Sequence, residues 1–248
     1  MAHVIEINFD RPIAVFSLPQ VVLLPHVAEK LFVFEPRYRQ MIEACLEAGG
    51  GLLQGAAPIA LASYAPRDWK GERVALQSSG LTQEPALRPI VCVGKIFEHH
   101  RLADGRHEVL MHGICRARIE GIEEANASRL YARAFLRPTE SLHRGFGTIR
   151  ALRLAILKHL DHGELSRAGA FHQVREWLQQ EKVPAELLLE QVGCLLAIDD
   201  DQRYRLLAEP SLRERARLIL SELATLDSTT RKAAARTQSA TDRGIGLN

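Results

Sequence analysis

Hydrophobic residues before about position 140 fall into short runs that prolines and glycines separate, a pattern typical of β-strands joined by turns. Pro12 to Leu18 is the first such run, and Pro58 to Tyr64 is a similar one further along. Shorter apolar runs lie at Val21 to Leu24 and at Leu31 to Phe34. Leu130 to Arg137 alternates apolar and polar residues and predicts a further strand.

One helix interrupts this β-rich half. Pro36 predicts its start, because a proline at the first helical position sacrifices no hydrogen bond, and Gly49 to Gly51 predict its end. Apolar side chains recur between them at helical spacing: Tyr38, Met41, Ile42, Cys45 and Leu46. Residues 65–87 are rich in Pro, Gly, Ser and Gln and predict a long surface loop.

Residues 90–123 predict a β-hairpin, because two β-like runs flank the turn dipeptide Asp104-Gly105. If these two residues form the loop, Ala103 lies opposite Arg106, and this register assigns every other residue to a face. The apolar face, expected to join the core, carries Cys92, Gly94, Ile96, Val109, Met111, Gly113, Cys115 and Ala117. The other face is mixed and basic, with Val91, Val93, Lys95, Phe97, His99, Leu110, His112, Ile114, Arg116 and Arg118.

Helical periodicity dominates from Gly147 onwards. Three helices are expected from about 149, 171 and 184, a short fourth capped by Asp199 or Asp200, and a fifth opened by Ser211 with Glu214. Residues 227–248 lack apolar periodicity and predict a disordered tail. The predicted fold class is therefore α+β, with a β-rich subdomain at 10–140 and a helical bundle at 145–226.

Composition adds mainly exclusions. The chain has 248 residues, 46% hydrophobic and 25% charged, which is ordinary for a globular protein. A net charge of +2 does not demand a nucleic-acid partner. The N-terminus carries Glu6 and Asp10 instead of an apolar stretch, and no apolar run is long enough to span a membrane, so we expect a cytoplasmic protein with reduced cysteines.

The motifs of common enzyme classes are missing. Gly94-Lys95 resembles the end of a phosphate loop, but Pro89 and Ile96 occupy the positions of the required Gly and Ser or Thr. The predicted hairpin register makes His99 and His112 diagonal neighbours, the candidates for a metal site, yet they supply two of the three or four ligands that such a site needs. We therefore predict no catalytic residues, no metal and no cofactor.

The string Glu35-Pro36-Arg37-Tyr38 is the most unusual in the chain. Arg37 is expected to form an ion pair with Glu35 while Tyr38 packs inward with its hydroxyl near a partner. A strand-to-helix joint locked by these side chains is favoured over direct ligand contact.

The string PQVVLLPHVAEKLFVFEPRYRQM at 19–41 resembles the opening motif of the Lon protease N-terminal (substrate-binding) domain family, P-x-x-x-V-L-F-P-G-x-x-L-P-L-x-I-F-E-P-R-Y-x-x-M. A second stretch agrees, with Asp104-Gly105 followed by Gly113 and Arg116 in a G-x-x-R-x-x-I arrangement. The resemblance spans roughly 10–225. One departure is His26, which stands where the family motif has Gly.

This resemblance implies a PUA-like β-barrel-type subdomain with one packed helix, followed by a helical bundle. It also implies recognition of protein substrates or partners. The chain has no Walker motif for an ATPase and no protease domain, so it looks like a stand-alone, ATP-independent protein of this type.

The favoured functional hypothesis is a non-enzymatic module that binds polypeptide segments or a partner protein. Its candidate binding residues are Phe34, Glu35, Arg37, Tyr38, Phe97, Arg116 and Arg118. An RNA-binding protein is the alternative and needs Lys95, Arg116 and Arg118 on one surface. A metal-dependent hydrolase built on His99 and His112 is a third hypothesis.

Overall fold

A computed structural model describes residues 6–76, 85–139, 147–161, 169–180, 183–196 and 199–244. The chain divides into two compact units. The first comprises Met1–Ser141 together with Asp199–Pro210, and the second comprises Leu142–Ile198 together with Ser211–Asn248. The segment 199–210, which the sequence analysis placed in the helical half, therefore belongs to the β-rich unit.

The first unit is built on a mixed sheet. Its strands are β1 (Ile13–Leu18), β2 (Ala28–Val33), β3 (Ile59–Ser63), β4 (Ile90–Arg101), β5 (His107–Glu123) and β6 (Arg133–Pro138). The pairings β1–β3, β3–β4, β4–β5, β5–β6 and β6–β1 form a closed circuit of barrel type, in which only β1–β3 is parallel. β2 lies outside this circuit and pairs with the first half of β5. The α+β class is confirmed.

The β4–β5 hairpin forms, but its predicted register was wrong. Ala117 lies opposite Val91, and His107 lies opposite Arg101, whereas the predicted register placed each pair one residue apart. The irregularity at Val93/Gly94 shifts the register by one further residue, and the one at Ile96/Glu98 restores it. Because side chains alternate across a strand, this slip brings Val91 and Val93 into the core with Ala117.

Helix α1 (Pro36–Glu47) follows β2 and confirms the helix predicted at this position. Its inward side chains are Tyr38, Met41, Ile42 and Cys45, all buried. The Tyr38 ring packs on Phe16 of β1 with centroids 4.6 Å apart. Burial raises the pKa of the Cys45 thiol to about 12, so this thiol is unreactive near neutral pH.

His26 occupies a left-handed backbone conformation, with φ of 61°. Its N–H donates to the Gly113 carbonyl at 2.8 Å, which ties the turn before β2 to β5. Glycine adopts this conformation without steric cost. The turn therefore has a conformation that suits glycine, although histidine occupies the position.

Helix α5 (Asp200–Ala208) is part of the first unit, and Asp199 caps it as predicted by accepting from the Gln202 N–H at 2.8 Å. The guanidinium of buried Arg88 lies 4.5 Å from the ring centroids of both Trp69 and Tyr204. It also forms an ion pair with Asp201. The Tyr204 hydroxyl accepts from the Ile90 N–H at 3.0 Å. These contacts hold α5 against the start of β4.

The second unit contains α2 (Gly147–Leu160), α3 (His172–Gln179), α4 (Ala185–Leu196) and α6 (Leu212–Gly244). Arg153 of α2 donates to the carbonyls of Leu178, Gln180 and Val183, at and just beyond the C-terminus of α3. Arg215 of α6 and Glu190 of α4 form a buried ion pair at 3.1 Å. Two buried arginines thus connect the helices of this unit.

The sequence predicted disorder after residue 226, whereas in the structure helix α6 continues to Gly244. The segment contains four alanines and three arginines, which are strong helix formers even without an apolar stripe. An ion pair four residues apart, Arg231 with Asp227 at 2.5 Å, adds to the helix. Among the described ranges no helix, α6 included, is long and apolar enough to cross a membrane.

Candidate functional site

An exposed aromatic surface lies on the outward side of β2, β5 and β4 in the first unit. Phe32 is 48% exposed, Phe34 just beyond β2 is 61% exposed, and Phe97 of β4 is 68% exposed. Leu110 and His112 of β5 lie between these strands and are half-buried. We call this surface, formed by Phe32, Phe34, Phe97, Leu110 and His112, the aromatic face.

Strand alternation explains how an apolar segment places aromatic rings in solvent. Leu31 and Val33 point into the core, so Phe32 between them points outward. Phe97 lies at the irregularity between Ile96 and Glu98, and its ring centroid is 6.4 Å from that of His112. Ile96 before it is buried, so alternation directs Phe97 outward, as it does Phe32.

The charged groups at the border of the aromatic face are paired. Lys30 and Glu108 form an ion pair across β2 and β5, and their hydrogen bond lowers the pKa of the Glu108 carboxyl and raises that of the Lys30 ammonium. Arg106 pairs with Asp104 at 2.7 Å, and its guanidinium lies 5.0 Å from the Phe32 ring centroid. The border near Phe32 therefore consists of paired charges, while Glu98 beside Phe97 is exposed.

The Glu35-Pro36-Arg37-Tyr38 string forms the joint that the sequence suggests. Arg37 Nε donates to Glu35 at 3.0 Å. The buried Tyr38 hydroxyl donates to the Ser17 carbonyl at 2.7 Å. Burial is the main cause of a raised Tyr38 pKa, so the phenol stays neutral. Tyr38 is thus part of the packing beneath the joint, and of the string's neighbours only Phe34 is largely exposed.

Arg116 is not a surface residue, so its assignment as a binding residue is corrected. Its side chain is 1% exposed, and it donates to the Leu207 carbonyl at 3.0 Å and to the Leu206 carbonyl at 3.3 Å. Arg116 lies on the face opposite that of core residue Ala117, as the sequence predicted, but α5 packs on this face and covers the side chain. Arg118 remains partly exposed and pairs with Glu72.

The hairpin histidines pair differently from the prediction. His99 and His107 share a hydrogen bond of 2.8 Å, and His107 lies 3.6 Å from the Glu43 carboxylate. His112 lies instead beside Phe97. The register slip makes His107, not His112, the diagonal neighbour of His99. Within the described ranges no group of three or more His, Cys, Asp or Glu side chains has the geometry of a metal site.

Acidification is expected to destabilise the first unit below about pH 6.5, because the pKa values of His99, His107 and His112 are all lowered from 6.5, chiefly by burial. The unfolded chain then binds more protons, so the free energy of unfolding falls as the pH drops through 6.5 and levels off below the folded-state pKa values. Urea unfolding between about pH 8 and pH 5 measures this loss. The lowered pKa of the Glu108 carboxyl affects the free energy of unfolding only below about pH 4.5, outside this range.

A His99→Gln variant is expected to show a smaller loss of stability over the same pH range. His172→Gln, a change at an exposed histidine of the second unit, is the control and keeps the full dependence. An unchanged pH dependence in His99→Gln contradicts the assignment to the histidine pair.

Sequence reasoning missed Phe32 as a candidate binding residue. Leu31 to Phe34 are all apolar, so the sequence shows no polar–apolar alternation in this run. Only the burial of Leu31 and Val33 in the structure shows that Phe32 and Phe34 face outward.

The first unit thus combines an α+β fold, a closed circuit of strands and an outward aromatic face. The chain belongs to the family of the ATP-dependent protease La (LON) substrate-binding domain, whose model matches residues 12–225. No match was found among curated proteins.

Solved structures of Lon N-terminal domains share the fold. The N-terminal domain of the Mycobacterium avium complex Lon protease is 16% identical, covers 86% of this chain and 98% of its own, with a TM-score of 0.62. The Lon N-terminal domain protein from Xanthomonas campestris is 17% identical, covers 85% of this chain and 98% of its own, with a TM-score of 0.51.

Proposed function

We propose that this chain is a non-enzymatic module that holds segments of other polypeptides against its aromatic face. The observation that carries the proposal is the exposure of Phe32 and Phe34, on and just beyond β2, and of Phe97 on β4, the two strands that flank β5. Clustered apolar side chains in solvent mark interaction sites, and aromatic residues are enriched at protein interfaces. Membership of a substrate-binding domain family supports the same function.

Phe34 and Phe97 keep their proposed roles as contacts, and Phe32 joins them. Glu35 and Arg37 are proposed to hold Phe34 at the strand-to-helix joint through their ion pair. Arg118 lies on another part of β5, which pairs there with β6, and stays a candidate for polar contact. Binding is proposed to need no nucleotide, because the sequence contains no P-loop, and the expected cytoplasmic location stays a prediction.

The RNA-binding alternative loses the surface on which it depended. Arg116 is buried, Arg118 pairs with Glu72, and the Lys95 ammonium donates to the Gln54 carbonyl at 3.2 Å. The metal-hydrolase alternative required His99 and His112 to converge, whereas His99 pairs with His107. Neither alternative is favoured by a specific observation.

Replacing all three exposed phenylalanines by serine is expected to weaken binding of an unfolded polypeptide at least about tenfold, because each lost aromatic contact removes apolar area from the interface. The probe is reduced, carboxymethylated α-lactalbumin, a permanently unfolded chain, and fluorescence anisotropy measures its affinity.

The matched control replaces three other exposed apolar side chains of the same unit, Leu52, Leu130 and Phe135, by serine. We expect this variant to bind within about twofold of the original chain, since its changes leave the aromatic face intact. Equal weakening in both variants, or no binding by the original chain, would falsify the proposed function.

A further inference from the structure

Strand β2 is an open edge of the sheet. Within the part of the chain that the structure describes, it pairs with β5 and with no other strand. Ala28, Lys30 and Phe32 along it are all exposed. An open edge presents unpaired backbone N–H and C=O groups, which form a template for another strand.

The pairing register identifies which residues direct their backbone groups outward. The Gly113 N–H donates to the Val27 carbonyl at 2.9 Å, and Ala28 lies opposite His112. Hydrogen-bonded and non-bonded pairs alternate along an antiparallel ladder. The alternation therefore turns the backbone groups of every second residue away from β5, those of Ala28, Lys30 and Phe32.

We propose that an extended segment of another polypeptide adds to β2 as a further strand, with its side chains alternating between the aromatic face and the opposite side. This inference rests on the proposed function and specifies its mode of binding. Backbone hydrogen bonds supply affinity in strand addition, and the pockets met by alternate side chains supply specificity. The aromatic face lies directly beside the edge, because Phe32 belongs to β2 itself.

Charge indicates the chemistry of the added strand. On the Phe32 side of the edge, Lys30 is paired with Glu108 and Arg106 with Asp104. A charged side chain that enters on this side therefore displaces an existing ion pair, whereas an apolar side chain covers Phe32. The segment that fits is uncharged, with apolar residues at every second position.

Charge also disfavours a second copy of this chain as the occupant. Lys30 is the middle one of the outward-directed residues and is 70% exposed. Antiparallel pairing of two β2 strands about this residue places two ammonium groups opposite each other, which destabilises the pair. A segment of a different polypeptide avoids this repulsion.

The test compares Lys30→Pro with Lys30→Ala in the full chain. Both remove the ammonium, but only proline removes the outward N–H, and proline is tolerated on edge strands. The probe is a short fluorescein-labelled peptide in which threonine alternates with phenylalanine. We expect Lys30→Pro to bind it about tenfold more weakly than Lys30→Ala, the worth of one lost intermolecular hydrogen bond plus the steric block.

Two N-methylated peptides keep the test valid if Lys30→Pro folds poorly. In one peptide the odd-numbered amides are methylated and in the other the even-numbered ones. Because alternate amides of an extended chain point to the same side, each peptide lacks the N–H donors of one edge. With the unaltered protein we expect at least one of them to lose about tenfold in affinity. Equal binding of both analogues and the parent peptide overturns strand addition.

The outcomes separate the inference from the proposed function. Suppose that the peptide binds the unaltered protein and that its binding weakens when the exposed phenylalanines are replaced. If it then binds Lys30→Pro as tightly as Lys30→Ala, strand addition fails and the proposed function stands. If the unaltered protein binds neither the peptide nor the unfolded probe, both fail.

Discussion

Replacing Arg116 by leucine is expected to lower the free energy of unfolding of the first unit by about 3 kcal/mol and to release helix α5 from the sheet. The buried guanidinium donates to the carbonyls of Leu206 and Leu207, in the last turn of that helix. Leucine leaves these carbonyls buried without their donor. It also removes a positive charge from a helix C-terminus, where a cation is favourable.

The two tryptophans allow this effect to be followed in each unit. Trp69 packs edge-on against Tyr204 of α5 with ring centroids 5.4 Å apart, and Trp177 lies on α3 of the second unit. In a Trp177→Phe background, fluorescence during urea unfolding therefore reports the docking of α5.

Arg118→Leu is the matched control for Arg116, since both lie on β5. Its guanidinium is partly exposed and pairs with Glu72, so we expect a loss below about 1 kcal/mol. If the two leucine variants lose the same stability, Arg116 does not anchor α5.

Replacing Gly113 by alanine is also expected to lower the free energy of unfolding of the first unit by about 3 kcal/mol, because the added methyl group overpacks against the backbone. An added Cβ would lie 2.2 Å from the Leu24 carbonyl oxygen and 2.9 Å from the Cys92 sulfur. The carbonyl belongs to the main chain, so the turn before β2 must move to make room. Urea unfolding with the same Trp69 reporter measures the loss.

Gly121, on the same strand, provides the control. An added Cβ there meets only a Phe135 ring carbon at 3.7 Å, an ordinary contact. We expect Gly121→Ala to change stability by less than about 1 kcal/mol. A Gly113→Ala variant as stable as Gly121→Ala would show that the turn accommodates a side chain, contrary to the geometry.

These two residues explain the G-x-x-R spacing noticed in the sequence. Gly113 allows the turn after Leu24 to approach β5, and Arg116 reaches the end of α5. Both the close approach at Gly113 and the contact of Arg116 with α5 involve segments distant in the chain. The sequence therefore shows that the motif is present but not which contacts it makes.

Local patterns determined the elements that depend on neighbouring residues. Pro36 and the glycines after Ala48 predicted helix α1, Asp199 or Asp200 predicted the start of α5, and Asp104-Gly105 predicted the turn between β4 and β5. Caps, turns and helical periodicity involve residues a few positions apart, so the sequence contains their physical cause.

The sequence by itself determined the α+β class, the family and most of the elements. The tertiary structure decided the β4–β5 register, the burial of Arg116, the pairing of His99 with His107 and the exposure of Phe32. An irregularity of one residue moves the side chains beyond it to the other face of the strand. Which face of the sheet is buried depends in turn on where a helix from a distant part of the chain packs. Those choices depend on long-range packing, which local periodicity does not encode.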